Sequence, residues 1–456
     1  MAAAGVLLGV ALLVLMALRG INVIVASLVA ATVVAITNGR PLPAALTKEF
    51  VGGLTAFAGQ FILVFLAGAV FGRVMGESKA AASVALALHR RLGPERVMLI
   101  IVLAAALLTY GGVNVFVVVF TIYPLGLGLM QHADLPKRLL VGPITLGAGT
   151  FTMTALPGSP ALQNIIASQG LKTPLTAAPV VGLLASAAMF VMGMWYLERE
   201  RIAARRRGET FRPRPGDVVG EVAAGAGAMP HPVLALVPLA AVLLSILLPP
   251  WLIATIQPAG HAAPLPAWLA FARDQPVPWI ALTMGLGTLL ALGCFRRSLP
   301  DAWGAVSRGA DGAMLPLVST GAVIGFGSVV KSTDAFSWFA ESMLGSGVPP
   351  LLSAAVTINI MAGIVGSATG GLGIFMDTVA ARYLESGVSP ELLHRVVTIG
   401  SGGLDSLPHS GAVVSFLAVM GLTHREAYRD IGVVSVVIPL AALALVLIGL
   451  AALGIR

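Results

Sequence analysis

Apolar runs at 3–18, 21–37, 51–74, 177–197, 231–256, 277–295, 313–330 and 430–453 recur along this chain of 456 residues. Each approaches the roughly 20 residues a helix needs to cross a bilayer, and no soluble core could bury so many. Only 11% of the residues are charged, against about 25% in a soluble domain. That excludes a water-soluble enzyme, a disordered chain and a nucleic-acid binder, even at a formal charge of +8. The one cysteine, Cys294, leaves no disulfide framework and no multi-cysteine metal site. The sequence therefore predicts an all-α polytopic membrane protein seated in a lipid bilayer. With 53 Gly and 29 Pro its helices must be interrupted often, and two regions, 96–170 and 349–423, are apolar but broken.

No basic segment precedes the first run, and a second run follows at once, so the pair reads as two spans rather than a cleaved leader. The segment 198–221 carries Arg199, Arg201, Arg205, Arg206, Arg207, Arg212 and Arg214 without an apolar run. The positive-inside rule puts it in the cytoplasm, as a solvated linker. Counting onward, 257–276 lies outside, and Arg296, Arg297 and Arg308 return inside.

The chain also repeats itself. Phe71-Gly72-Arg73-Val74 resembles Phe326-Gly327-Ser328-Val329, and Pro94 and Pro349 follow at equal distances. Gly111-Gly112-x-x-x-Phe116 recurs as Gly370-Gly371-x-x-x-Phe375, and Leu156-Pro157-Gly158-Ser159 as Leu407-Pro408-His409-Ser410. The offsets are 255, 255, 259 and 251, so the matches are collinear. Charge gives the two copies opposite orientations. Lys79, Arg90, Arg91 and Arg96 precede the first Gly-Gly, whereas Lys331 alone, beside Asp334 and Glu341, precedes the second. The expected organisation is two N-terminal helices at 1–50, inverted repeat 1 at 51–198, a basic linker at 199–230, a two-helix connector at 231–312 and inverted repeat 2 at 313–456. Each repeat holds a span, a re-entrant hairpin (96–132 and 349–386), a broken span (137–170 and 391–423) and a closing span. Segments 78–92 and 334–345 are too short and polar to span, and are expected along the interface. Ten spans result, with both termini outside. Two ordinary spans in place of the first hairpin fit the charges equally well.

Irregular backbone at membrane depth survives only where protein covers it or it lines a wet cavity. Four such places are expected: the tip 109–114, with Gly111, Gly112 and Asn114; its counterpart 366–371, with Ser367, Thr369, Gly370 and Gly371; the break 152–160, with Thr152, Thr154, Gly158 and Ser159; and the break 405–411, with Ser406, His409 and Ser410. Free N–H groups at helix breaks attract anions, glycine admits close approach, and hydroxyls and amides complete the hydrogen bonding. None of the four holds Lys or Arg, so an anion there would rely on dipoles and neutral donors. Substrate binding is the reading adopted for all four; tight helix packing is the alternative for any one Gly-Gly, as it is for Gly68, Gly72 and Gly76.

Two acids lie within the apolar segments, Asp405 and Asp377. His409 stands one turn past Asp405, so Asp405, His409 and Asp377 are the candidates for carrying a proton. For Asp377 a structural partnership with Arg382 is the plainer expectation. The remaining histidines, His89, His132, His231, His261, His394 and His424, read as solvated or interfacial, and none has metal-ligand spacing. No metal or other cofactor is expected.

Gly111-Gly112-Val113 through Tyr123-Pro124-Leu125, Phe151 to Pro160 with Gln163-Asn164, and Gly402-Gly403-Leu404-Asp405-Ser406-Leu407-Pro408-His409-Ser410-Gly411-Ala412 with Leu422-Thr423-His424 resemble the gluconate permease family of proton symporters. The resemblance covers most of the chain and adds Asn164 to the substrate-binding candidates. It implies a bacterial inner-membrane carrier of the ion-transporter superfamily, a homodimer, and small hydroxy-carboxylate anions as substrates. The Leu-Pro-His-Ser form of the second break is more similar to the hydroxybutyrate-permease branch, which favours a short monocarboxylate over a sugar acid. Sodium-coupled relatives carry Ser-Asn-Thr at tips and breaks, which this chain lacks. A sodium-coupled or metal–citrate carrier is the alternative within transport. An intramembrane hydrolase using Ser410, His409 and Asp405 is disfavoured because near-adjacent side chains on a helix point apart.

Overall fold

The computed structural model describes residues 2–455 except 20, 81, 82, 84–86, 88, 89, 92, 114, 214–228, 258–263, 336, 337, 339–341, 344, 346 and 409. Among the described residues every regular element is helical. α1 (Ala2–Leu18) and α2 (Val23–Thr37) pair, and Asn22 caps the second by accepting the Ile24 N–H at 2.8 Å. α3 (Leu42–Glu77) opens with a wide π turn at Ala45–Phe50. α4 (Val97–Tyr110) and α5 (Val115–His132) fold back on each other, followed by α6 (Val141–Gly149), α7 (Leu162–Leu171) and α8 (Pro179–Arg206). α9 (Pro232–Ile256), α10 (Ala267–Asp274) and α11 (Pro276–Cys294) connect to α12 (Ala302–Lys331). α13 (Pro350–Val365), α14 (Ala368–Thr378), α15 (Ala380–Glu385), α16 (Pro390–Ser401), α17 (Gly411–Val419) and α18 (His424–Ala452) complete the chain.

Five of these helices, α3, α8, α11, α12 and α18, are long and apolar enough to cross a membrane. On α8 the residues Val180, Leu183, Leu184, Val191 and Trp195 are exposed, as suits a surface whose solvent is lipid. Several helices outrun the apolar runs that announce them. α3 begins at Leu42 rather than 51, α8 continues to Arg206 rather than 197, α12 starts at Ala302 rather than 313 and α18 at His424 rather than 430. The extensions are polar and bring their own stabilisation. Asp301 accepts the Gly304 N–H at 2.9 Å, Thr423 and Glu426 form a capping box at α18, and Glu198 and Arg201 pair on α8. Hydropathy alone stops short of them. The segments 78–92 and 334–345 fall largely outside the described residues.

Two sets of helices pack in matching ways. α4 lies on α5 and α6, as α13 lies on α14 and α16; α6 touches α18 as α16 touches α8; α5 meets α17 as α14 meets α7. α3 packs on α12, and α8 on α18. The α3–α12 crossing is built from small residues, because a Cβ at Gly325 would stand 2.5 Å from the Phe50 carbonyl oxygen and one at Gly53 would stand 2.2 Å from Ser328 Oγ.

On the face that carries the basic segment, ion pairs lace α6, α8 and α18 together. Arg138 bonds Glu209 at 2.8 Å and lies 3.7 Å from Asp430 Oδ2; Tyr196 Oη donates to Asp430 Oδ1 at 2.7 Å; Arg429 reaches Glu200 at 3.2 Å. The Arg138 hydrogen bond, with that of Arg207, holds the Glu209 carboxyl below the usual carboxylate range against the opposing effect of burial. A depressed carboxylate stabilises the fold fully above its ordinary pKa, and that contribution fades as pH falls through the lower folded value.

Gly325→Val should force the α3–α12 crossing apart, since the obstacle is backbone, and should cost about 1–3 kcal/mol. Thermal unfolding in detergent reads the loss. Gly59→Ala, where nothing lies within 4 Å of the added carbon, should leave the melting temperature unchanged or raise it.

Candidate functional site

The first break follows α6. Beyond Gly149 the chain makes a π turn at Phe151–Ala155, becomes extended at Leu156 and restarts as α7. Pro157 and Pro160 cannot donate to a helix, and Gly158 takes φ +78°, a conformation glycine adopts without strain. The threonine hydroxyls here turn back to their own helix: Thr150 donates to Leu146 O at 2.6 Å, Thr152 to Gly147 O at 2.5 Å and Thr154 to Thr150 O at 3.0 Å.

The carbonyls freed by this break are bound from three directions. Ala155 O accepts from Arg395 Nη1 at 3.2 Å, Pro157 O from Tyr110 Oη at 2.9 Å and Ser159 O from Asn164 Nδ2 at 2.8 Å. Arg395 is fully buried on α16, and its other bonds reach Ala177 O, Leu175 O and Asn164 Oδ1. Asn164 Nδ2 also donates to Leu175 O at 2.8 Å, which fixes its amide. Asn164 Oδ1 must therefore accept, so the His394 Nε2 that meets it at 2.7 Å carries a proton, and Nδ1 accepts from Thr173 Oγ1 at 2.6 Å.

The second break follows α16. A tight turn at Leu404–Ser406 leads to extended Leu407, Pro408 and the start of α17. Ser406 O accepts from Tyr428 Oη at 3.2 Å and Pro408 O from His424 Nε2 at 2.9 Å, both donors lying on α18. Asp405 is buried; Ser406 Oγ donates to its Oδ1 at 2.9 Å, and the backbone N–H groups of Ala368 and Ser406 also bond to its carboxylate.

The tips close on the breaks. Gly112, at φ +92°, turns the chain between α4 and α5, and a Cβ there would lie 3.5 Å from Pro160 Cγ and 2.7 Å from Met284 Cε. Ser367 caps α14 by accepting the Gly370 N–H at 3.2 Å, and Thr369 Oγ1 accepts from Gln163 Nε2 of α7 at 3.4 Å. A Cβ at Gly402 would stand 2.6 Å from Thr154 Cγ2, so the two breaks touch. Tip 1 thus meets break 1 through Tyr110 and Pro157, break 1 meets break 2 at Thr154 and Gly402, and break 2 meets tip 2 through Asp405 and Ala368.

Of the residues expected from sequence, Gly111, Gly112, Thr152, Thr154, Gly158, Ser159, Asn164, Ser367, Thr369, Gly370, Gly371, Asp405, Ser406 and Ser410 belong to this assembly of tips and breaks. Gly371 is occupied by packing, because a Cβ there would stand 2.6 Å from Ala362 Cα. Asp377 is exposed near the far end of α14, about 13 Å along the helix from the tip. Asn114 and His409 lie outside the described residues. Among the described residues no group of three or more His, Cys, Asp or Glu is placed to hold a metal ion.

His394 corrects an expectation: it is fully buried within this network, not solvated or interfacial. Arg395 was absent from the sequence candidates although the signal existed, a basic residue inside a region read as a broken span. Two buried atoms nearby, Thr109 Oγ1 beside tip 1 and Asn359 Oδ1 against Gly403, have no hydrogen-bond partner among the described residues.

A family model described as GntP family permease matches residues 1–453. An uncharacterized transporter of Bacillus subtilis (strain 168), YxjC, is 36% identical over 97% of this chain and 98% of its own length. Another uncharacterized transporter, from Haemophilus influenzae, is 26% identical over 79% of this chain and 77% of its own. Among solved structures, the YdaH transporter of Alcanivorax borkumensis aligns at TM-score 0.51 and 16% identity, covering 90% of this chain and 88% of that one. MtrF of Neisseria gonorrhoeae, described as illuminating a class of antimetabolite efflux pumps, aligns at TM-score 0.54 and 18% identity over 89% and 83%. These two share the fold with the chain.

Tyr110→Phe should leave the Pro157 carbonyl without its donor. A buried acceptor so exposed costs about 1–3 kcal/mol, read as a lowered melting temperature.

Proposed function

Because the chain belongs to the GntP family of permeases, we propose that it is a secondary active transporter that carries a small hydroxy-carboxylate into the cell with a proton. The observation that carries this reading is the position of Asp405. It is a buried acid at the joint of break 2 and tip 2, with its carboxylate on the Ala368 N–H that opens α14. Hydrogen bonds to a carboxylate are roughly twice as strong as neutral ones. Protonation removes that advantage and loosens the tip from the break, so proton binding and movement of the tip become one event.

The matching contacts of α4, α5, α6 and α8 with α13, α14, α16 and α18 support two inverted repeats, each with a re-entrant hairpin and a broken helix. Alternating access follows from rocking such halves about a central site. The reading places the basic segment in the cytoplasm, both termini outside and the protein in a bacterial inner membrane as a homodimer. Asp405 is the leading proton carrier. His409 lies outside the described residues, and exposed Asp377 stands at the far end of α14, away from the breaks. Substrate binding is assigned to the tips and breaks, with a 3-hydroxybutyrate- or gluconate-like anion as cargo.

Proteoliposomes free of sodium, under an inward proton gradient, should accumulate labelled 3-hydroxybutyrate above equilibrium, and a protonophore should abolish the accumulation. Uptake that begins only when sodium is added would transfer the coupling to that ion. Asp405→Asn should cut proton-driven accumulation by about tenfold or more, the weight of one charge-assisted hydrogen bond, while substrate exchange persists. Full proton-driven accumulation in that variant would remove Asp405 from the coupling.

A further inference from the structure

α8 continues past the bilayer. Arg199 stands 20 residues after Pro179, where the helix starts. At about 1.5 Å per residue that is about 30 Å, the thickness of the hydrocarbon layer. The lipid-facing side of α8, marked by exposed Leu184 and Val191, does not end there. At spacings of four, three and four it runs on through Trp195, Arg199, Ile202 and Arg206, which lie within about 60° of one another around the axis. All four are exposed, Trp195 at 64%. Its indole sits at the depth where aromatic side chains border a membrane. The Arg199 guanidinium lies over that indole, 5.6 Å from the ring centre.

The charges of this extension divide by face. On the side turned to the protein, Arg207 bonds Glu209 at 2.6 Å and lies 3.8 Å from Glu200, while Arg429 also reaches Glu200 and Arg138 is shared between Glu209 and Asp430. Three arginines there meet three carboxylates. Glu198 is neutralised by Arg201, whose Nε donates to it at 2.8 Å. On the lipid side Arg199 and Arg206, with Arg205 next to them, are exposed, and none has a hydrogen bond or ion pair among the described residues. An arginine at the edge of a hydrocarbon layer meets its counter-charge either in the protein or in the lipid. Here the carboxylates of the protein are already engaged.

We infer that the cytoplasmic extension of α8 is a binding site for an anionic phospholipid, with the headgroup phosphodiester between Arg199 and Arg206 and the acyl chains along Trp195 and the apolar face before it. Arg206 stands about 10 Å beyond Arg199 along the axis, a gap that two long side chains bend across from either side. Continuity with the apolar face selects a lipid over an anion from solution. The excess of positive charge selects an anionic headgroup over a zwitterionic one. The inference is independent of the cargo and of the coupling ion.

Full-length protein in detergent, titrated with dioleoyl phosphatidylglycerol or dioleoyl phosphatidylcholine and followed by its melting temperature, tests this. The two lipids share their acyl chains and differ in net charge. Phosphatidylglycerol should raise the melting temperature at lower concentration. Arg199→Gln combined with Arg206→Gln should melt like the wild type without lipid, since neither side chain has a bond in the protein to lose. It should need about twenty-fivefold more phosphatidylglycerol for the same rise, about fivefold for each charge at an anionic surface. Either single replacement should show about fivefold, and carries the test if the double variant does not fold. Arg199→Lys combined with Arg206→Lys keeps the charge and should keep the preference. Arg425→Gln, which removes an exposed arginine of α18 off this face, should leave it unchanged. An equal response to the two lipids, or an undiminished preference in the glutamine variants, would overturn the inference. So would inorganic phosphate that stabilises the protein as well as phosphatidylglycerol does at equal concentration, because the arginines would then serve a soluble anion.

Discussion

A carbonyl oxygen released from a helix in an apolar medium has to find a donor, and this structure is arranged around that demand. Water satisfies such groups in a soluble protein, whereas at membrane depth only other parts of the protein or a wet cavity can do so. Each break therefore depends on side chains that arrive from neighbouring helices: Arg395 from α16, Tyr110 from α4, Asn164 from α7, and Tyr428 and His424 from α18. The packing that brings these helices together is thus a condition for the breaks to exist. In turn, the breaks give the interior its polar character.

The two sets of helices that pack in matching ways differ in their ionisable groups. Tips, breaks and closing helices recur with matching contacts, but Arg395 and Asp405 both lie on copy two, one turned toward break 1 and the other toward tip 2. The two interruptions are alike in backbone and unlike in their ionisable groups.

Much of this was legible in the sequence because Gly, Pro and charge leave strong marks. The pattern Leu156-Pro157-Gly158-Ser159 and its repeat located both breaks, and the Arg-rich segment marked one face. Helix ends were harder to read. The polar turns at Leu42, Arg206, Ala302 and His424 are held by caps and ion pairs, to which a hydropathy reading is blind. Arg395 and His394 were obscured differently, because their partners at Ala155, Asn164 and Thr173 are more than two hundred residues distant. Spacing along a chain carries no trace of such bonds, and a histidine near a span end looks the same whether water or an amide surrounds it.

The orientation of Asn164 has a consequence for His394. The imidazole accepts a hydrogen bond from the Thr173 hydroxyl on one side and donates one to an amide oxygen on the other. An amide held by two carbonyls accepts a hydrogen bond and cannot pass a proton on. The chain of donors is therefore a dead end, and the imidazole is insulated rather than wired.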